Sequence, residues 1–178
     1  VLHSRVVSVL THPVVALVLF VTAPYLVYFS DLFELAMREH WAHLARPAST
    51  FGRISSFVRE QILSRAVLSY ADRYLPQTGV LVEMGCGSAE SSSRIRGTGR
   101  RLVALDFSAG ALRQATAAGV FASFVQGDLE RLPFGSETID GAWNLGVLEH
   151  FDQEKGIRIL AELRRVLKPG GTAVLFWP

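Results

Sequence analysis

Val80-Leu81-Val82-Glu83-Met84-Gly85-Cys86-Gly87-Ser88-Ala89, followed by Leu102-Val103-Ala104-Leu105-Asp106, is the stretch on which the fold turns. A short apolar run ending in Gly-x-Gly reads as a buried strand breaking into a tight turn, where backbone N–H groups approach a ligand closely. An acidic residue about 20 positions on, at the end of the next apolar run, can hold ribose hydroxyls. Together they describe a nucleoside-cofactor site. A pyrophosphate fingerprint wants a third glycine where Glu90 stands, and a carboxylate there would repel phosphate. This argues against a nicotinamide dinucleotide. A phosphate-free cofactor with an amino-acid end suits the pattern better: Glu83 can face its ammonium, and the N–H groups around Gly87 to Ala89 its carboxylate.

Outward from this stretch the apolar pattern alternates. It predicts strand 80–84, a helix from about Ser88, strand 102–105, helix 109–118 and strand 122–125, then strand 139–144, helix 153–167 and strand 172–177. Such alternation makes a parallel sheet with helices on both faces. Gly85, Asp106, Asp128 and Asn144 all fall at carboxyl ends of strands, where sheets of this kind bind ligands. Upstream, Ile54, Val58, Ile62, Leu63, Val67, Tyr70 and Tyr74 recur at helical spacing until Pro76 stops the run.

Several motifs in this order resemble the class I S-adenosylmethionine-dependent methyltransferases, particularly their broad small-molecule group. Glu83-Met84-Gly85-Cys86-Gly87 resembles the first motif, and Leu105-Asp106-Phe107-Ser108 the acidic motif of the second strand. Gly127-Asp128-Leu129-Glu130-Arg131-Leu132-Pro133-Phe134 resembles the adenine-side motif, and Asn144-Leu145-Gly146-Val147-Leu148-Glu149-His150-Phe151 the fourth strand and its loop. Leu163-Arg164-Arg165-Val166-Leu167-Lys168-Pro169-Gly170-Gly171 resembles the turn into the fifth strand. The resemblance implies an α/β, Rossmann-like doubly wound parallel sheet, here stopping after its fifth strand. It also implies S-adenosyl-L-methionine as cofactor, no metal, and in-line displacement at the sulfonium methyl. Cofactor contacts would fall on Glu83, Gly85, Cys86, Gly87, Asp106, Phe107, Asp128, Leu129 and Asn144, with His150 as a candidate base. Each has a plainer alternative: Asp106 as a helix cap, Phe107 as core, Asp128 as an Asx-turn residue, His150 as structural, Cys86 as a small residue in a tight turn.

Composition bounds the rest. With 178 residues, 49% of them hydrophobic, 19% charged and a net charge of +2, the chain has length for one core domain and an appendage. Despite a pI near 9.0, its arginine cluster at 94, 96, 100 and 101 carries no interleaved aromatics, so no nucleic-acid partner is expected. One cysteine excludes an internal disulfide.

The apolar excess lies at the front. Residues 6–29 contain no Asp, Glu, Lys or Arg, and at 1.5 Å per residue can span a hydrocarbon core of about 30 Å. A single transmembrane helix is expected there, with a juxtamembrane helix to residue 45, a linker over 46–52, and the methyltransferase domain over 53–178. Arg38, Arg46, Arg53 and Arg59 after the run, against Arg5 before it, place that domain in the cytoplasm of a single-pass membrane protein. A signal peptide, a buried hairpin and one span of a multi-span protein are the alternatives. His12-Pro13-Val14-Val15-Ala16, Leu32-Phe33-Glu34-Leu35-Ala36 and His40-Trp41-Ala42-His43-Leu44 resemble a transmembrane segment of the cytochrome c oxidase assembly factor family. Three functions follow: methyl transfer to a small-molecule or lipid acceptor, a non-catalytic membrane-anchored fragment or gene fusion that keeps the cofactor fold, and an NAD-dependent oxidoreductase, which Glu90 opposes. A sheet ending at the fifth strand also predicts an exposed edge there unless another segment covers it.

Overall fold

The computed structural model describes residues 5–8, 57, 59–95 and 99–176. Six parallel strands form one sheet in the order β1-β6-β5-β2-β3-β4, where β1 is Arg5–Ser8, β2 Thr78–Met84, β3 Gly99–Asp106, β4 Ser123–Gln126, β5 Ile139–Leu145 and β6 Leu167–Phe176. Helices α1 (Ser64–Tyr74), α2 (Ala109–Ala115) and α3 (Gln153–Val166) pack on it. Strand β2 is central, paired with β3 on one side and β5 on the other, so its carboxyl end sits at the change of chain direction where doubly wound sheets bind ligands.

Pleating divides the core. Val82, Met84 and Ala142 face α3 through Ile159 and Leu163, whereas Leu81, Trp143 and Phe176 face α1 through Val67 and Ala71. Each fully buried leucine, isoleucine or valine contributes about 1.5–3 kcal/mol through burial. Helix α2 packs Leu112 and Ala115 on Ala104 of β3. Its start is capped by Ser108, whose hydroxyl accepts from Ala111 N, and α3 is capped by Asp152 accepting from Lys155 N. Helix α1 ends before Pro76, as its sequence predicts, and is preceded by a π-turn over Arg59–Leu63.

Two expectations are corrected. No α-helix follows the glycine turn; a single 3-10 turn, Glu90–Ser92, stands there behind Ala89 at φ +60°. The serines explain it. Ser92 donates its hydroxyl to Glu83 and Ser93 to the Glu90 carbonyl, bonds that compete with helix propagation. The turn therefore has no long-helix dipole behind it.

The second correction concerns residues 6–29. Residues 6–8 belong to β1, which pairs with β6 in the register Arg5↔Thr172 to Ser8↔Leu175. Strand β1 thereby covers the edge of the fifth methyltransferase strand. Residues 9–29, the juxtamembrane helix and the linker over 46–52 lie outside the described residues. Among the described residues no helix is long and apolar enough to cross a membrane.

Candidate active site

The site is built where β2, β3 and β5 end. Gly85 takes φ +69° to turn the chain off β2, and its N–H, with that of Cys86, donates to the Leu105 carbonyl at 2.8 and 3.0 Å. A Cβ on Gly85 would stand 2.7 Å from Cγ2 of Val147, so glycine is required for the β5 loop to close against this turn. Gly87 is left-handed at φ +52°, with nothing within 4 Å of where its Cβ would be. The turn thus presents bare backbone to open space. The Cys86 thiol is buried, lies 3.6 Å from the Gly87 carbonyl, and is pushed far above its ordinary range by burial and the negative charges of Glu83 and Asp106. It is an inert small residue.

Asp106 brackets the turn. Its Oδ2 accepts from Gly87 N at 2.9 Å and its Oδ1 from Ser108 N at 2.9 Å. Burial raises its pKa while these backbone donors pull it down. Each carboxylate oxygen keeps a second lone pair for a ligand hydroxyl. Phe107 is 44% exposed beside it.

On the adenine side, Asp128 is an Asx-turn residue: its Oδ1 accepts from Glu130 N at 2.9 Å, and the carboxyl is otherwise exposed. Leu129 points into the core, so only its backbone is available to a ligand. Its loop is fastened to α3 by Glu162, which accepts from Leu132 N at 2.8 Å, and by Arg165, which donates to the Leu132 and Phe134 carbonyls at 3.0 and 2.9 Å.

Three side chains at this edge carry buried polar atoms with no partner: Oε2 of Glu83, both amide atoms of Asn144, and Oε2 of Glu149. Burial pushes the Glu83 carboxyl up to about 8, helped by Asp106 and opposed by Ser92 and Trp143. Burial pushes Glu149 up to about 7. Oε1 of Glu149 packs 3.2 Å from where a Cβ on Gly146 would sit. His150 does not begin an α-helix; it closes a 3-10 turn, Leu148–His150. Its pKa is lowered by burial, against an opposing hydrogen bond with the Gly146 backbone.

Sequence reading missed Ser92, Trp143 and Glu149. The first two are linked across the sheet: the Trp143 indole N–H donates to Ser92 Oγ at 3.1 Å and the Ser92 hydroxyl donates to Glu83 Oε1 at 2.6 Å. The signal was available in the pleat, since Glu83 and Trp143 each stand one or two residues before a strand end and are direct partners on β2 and β5. Among the described residues no cluster of His, Cys, Asp and Glu can hold a metal.

These features fit a phosphate-free nucleoside cofactor: bare backbone at Gly87, an unpartnered carboxyl oxygen on Glu83, and an exposed ring at Phe107 beside a carboxylate. The fold and the site define the S-adenosylmethionine-dependent methyltransferase class. Residues 82–175 match the methyltransferase domain family, to which this chain belongs. Residues 1–67 match the cytochrome c oxidase caa3 assembly factor family. The chain is 35% identical over 135 residues to a malonyl-[acyl-carrier protein] O-methyltransferase of Erwinia billingiae, covering 72% of this chain and 51% of that protein. It is 33% identical over 131 residues to a demethylmenaquinone methyltransferase of Thermobifida fusca, covering 69% and 52%. It thus spans about half the length of these curated relatives. A Haloferax volcanii methyltransferase, solved in complex with the Trm112 activator, superposes with a TM-score of 0.56 at 26% identity, covering 68% of this chain and 54% of that one.

Proposed function

We propose that this domain transfers a methyl group from S-adenosylmethionine to a small-molecule or lipid acceptor. The observation that carries the reading is the glycine turn bracketed to Asp106, with bare backbone at Gly87 and an unpartnered Glu83 oxygen behind it. The cofactor supplies an activated methyl, so the protein's work is to position and to exclude water. In this reading Asp106 holds the ribose hydroxyls, Glu83 the ammonium, and the backbone of the turn around Gly87 to Ala89 the amino-acid carboxylate. Phe107, Asp128 and the Leu129 backbone flank the adenine, and Asn144 lines the floor beside β5. The acceptor side falls to the Glu149–His150 turn, where burial favours the neutral form of His150, the form able to accept a proton. Calorimetry on the full chain tests this: S-adenosylhomocysteine should bind and NADH should not. Binding of NADH alone would reverse the assignment in favour of the oxidoreductase.

A lipid or quinone acceptor is supported by the demethylmenaquinone methyltransferase relative and by the uncharged run ahead of the domain. In this reading the uncharged run attaches the chain to a bilayer, with the methyltransferase domain on its cytoplasmic side. Carbonate extraction separates the cases: a pelleted chain supports attachment, and a folded chain in the supernatant removes it.

A further inference from the structure

The unpartnered oxygen of Glu83 points beyond a passive contact. This side chain ends β2 immediately before the glycine turn and is 3% exposed. Its Oε1 receives the Ser92 hydroxyl, itself held by the Trp143 indole, while Oε2 is buried with no donor. Among the described residues the groups around it do not supply a cation. Asp106 on β3 adds negative charge, Cys86 in the turn is a neutral thiol, and Ser92 and Trp143 are uncharged. Arg94, just past the 3-10 turn, directs Nε to Ser64 Oγ at 2.8 Å and Nη2 to Gln61 Oε1 at 3.1 Å. An ionised carboxylate with one oxygen bare of donors is costly to bury. An arriving ammonium reverses that balance.

We propose that Ser92 and Trp143 are positioning residues for Glu83: they fix one carboxyl oxygen and leave the other for the cofactor's ammonium, so that cofactor binding expels a proton from this buried acid. The inference rests on the role given to Glu83 above. In the empty site the carboxyl is a neutral acid at pH 7, consistent with its half-ionisation at about 8. In the complex its proton has left to solvent and the carboxylate faces the ammonium. The sign follows by linkage: below about pH 8 affinity rises with pH, because binding releases a proton. Well above it the free cofactor's α-amino group loses its own proton, and binding then takes a proton up. Release at neutral pH and uptake at alkaline pH is therefore the signature.

The test is calorimetry of S-adenosylhomocysteine with the full chain, in buffers of different ionisation enthalpy, from pH 6.5 to 9. Release of about 0.7–1 proton at pH 7 is expected, turning to uptake at pH 9. Glu83→Gln should bind more weakly, release nothing at pH 7 and keep the alkaline uptake. Ser92→Ala removes a donor that pulls the acid down, so its release limb should move to higher pH, and Trp143→Phe should move it the same way; Ser92→Thr should restore it. If Ser92→Ala does not fold, Glu83→Gln and Ser92→Thr decide. Release below about 0.2 proton in the unmodified protein, persistence of release in Glu83→Gln, or an unmoved limb in folded Ser92→Ala overturns the proposal. Failure to bind at any pH overturns the cofactor reading with it, whereas binding without proton release overturns this inference alone.

Discussion

The two ends of the sheet treat buried polar groups in opposite ways. At the amino ends the buried polar side chains among the described residues are paired. Arg100, whose side chain is 0% exposed, donates to Asp72 Oδ1 at 2.7 Å, to the Pro76 carbonyl at 2.9 Å and to the Ala71 carbonyl at 3.0 Å, closing the end of α1. Asp140 accepts from Val80 N and Lys168 Nζ, both at 2.8 Å, and occupies the space a side chain on Gly79 would need. At the carboxyl ends Glu83, Asn144 and Glu149 keep buried atoms without partners. Stability is concentrated at one end, and the unmet hydrogen-bonding capacity that a ligand can satisfy at the other.

Substitutions at the two ends should therefore separate folding from binding. Arg100→Ala removes the donors held by the Pro76 and Ala71 carbonyls and by Asp72, and should lower unfolding stability by about 3 kcal/mol in urea titration. Cofactor affinity should stay within about twofold, since no site group is touched. A comparable loss of affinity would break the division.

Asp106→Ala removes charge-assisted bonds worth about 1.5–3 kcal/mol each, so S-adenosylhomocysteine affinity should fall about 100-fold. His150→Ala should change it by less than about threefold, as its ring is engaged with the Gly146 backbone. Equal losses, read by calorimetry, would contradict the roles given to both residues.

Asn144→Leu sharpens the comparison from the other side. It replaces two unpartnered amide atoms with apolar volume beside Met84 and Leu175, and should raise thermal stability by about 1 kcal/mol while weakening cofactor binding. A loss of stability would mean that this amide has partners in solution.

The two ends also differ in their response to pH. Glu83 and Glu149 titrate at about 8 and about 7 in the folded chain, against 4.5 unfolded. Both are raised, so the folded state binds more protons. The stability they contribute is complete below pH 4.5 and lost as pH rises through 7 and 8. The decline should appear in urea titrations of the empty protein, and Glu83→Gln with Glu149→Gln should flatten it.

The sheet was legible because its evidence is local. Apolar runs bounded by Gly and Pro placed β2 to β6 within a few residues, and the helical stripe ending in Val166 gave α3 almost to its bounds. The glycine turn and Asp106 were legible for the same reason, as their spacing reflects strand-turn-strand geometry. What escaped was non-local. Trp143 reads as one more apolar strand residue until β5 is laid beside β2 and its indole meets a serine far back in the chain. The missing helix after Gly87 escaped because the Ser92 hydroxyl turns back to Glu83 on β2, a partner that the local pattern does not reveal. Strand β1 escaped because Val6-Val7-Ser8 is indistinguishable by hydropathy from the uncharged run it opens, and only its pairing with β6 sets it apart.

That pairing also sets an order of events during synthesis. Arg5 meets Thr172, so β1 has no partner until β6 has left the ribosome, and at about 5–20 residues per second that takes roughly ten to thirty seconds. Throughout that interval the uncharged residues behind β1 are already outside and have no finished sheet beside them. Among the described strand pairings, that of β1 with β6 joins the residues farthest apart in sequence. Whatever receives the apolar run first, a bilayer or a chaperone, does so before β6 exists to pair with the strand ahead of it.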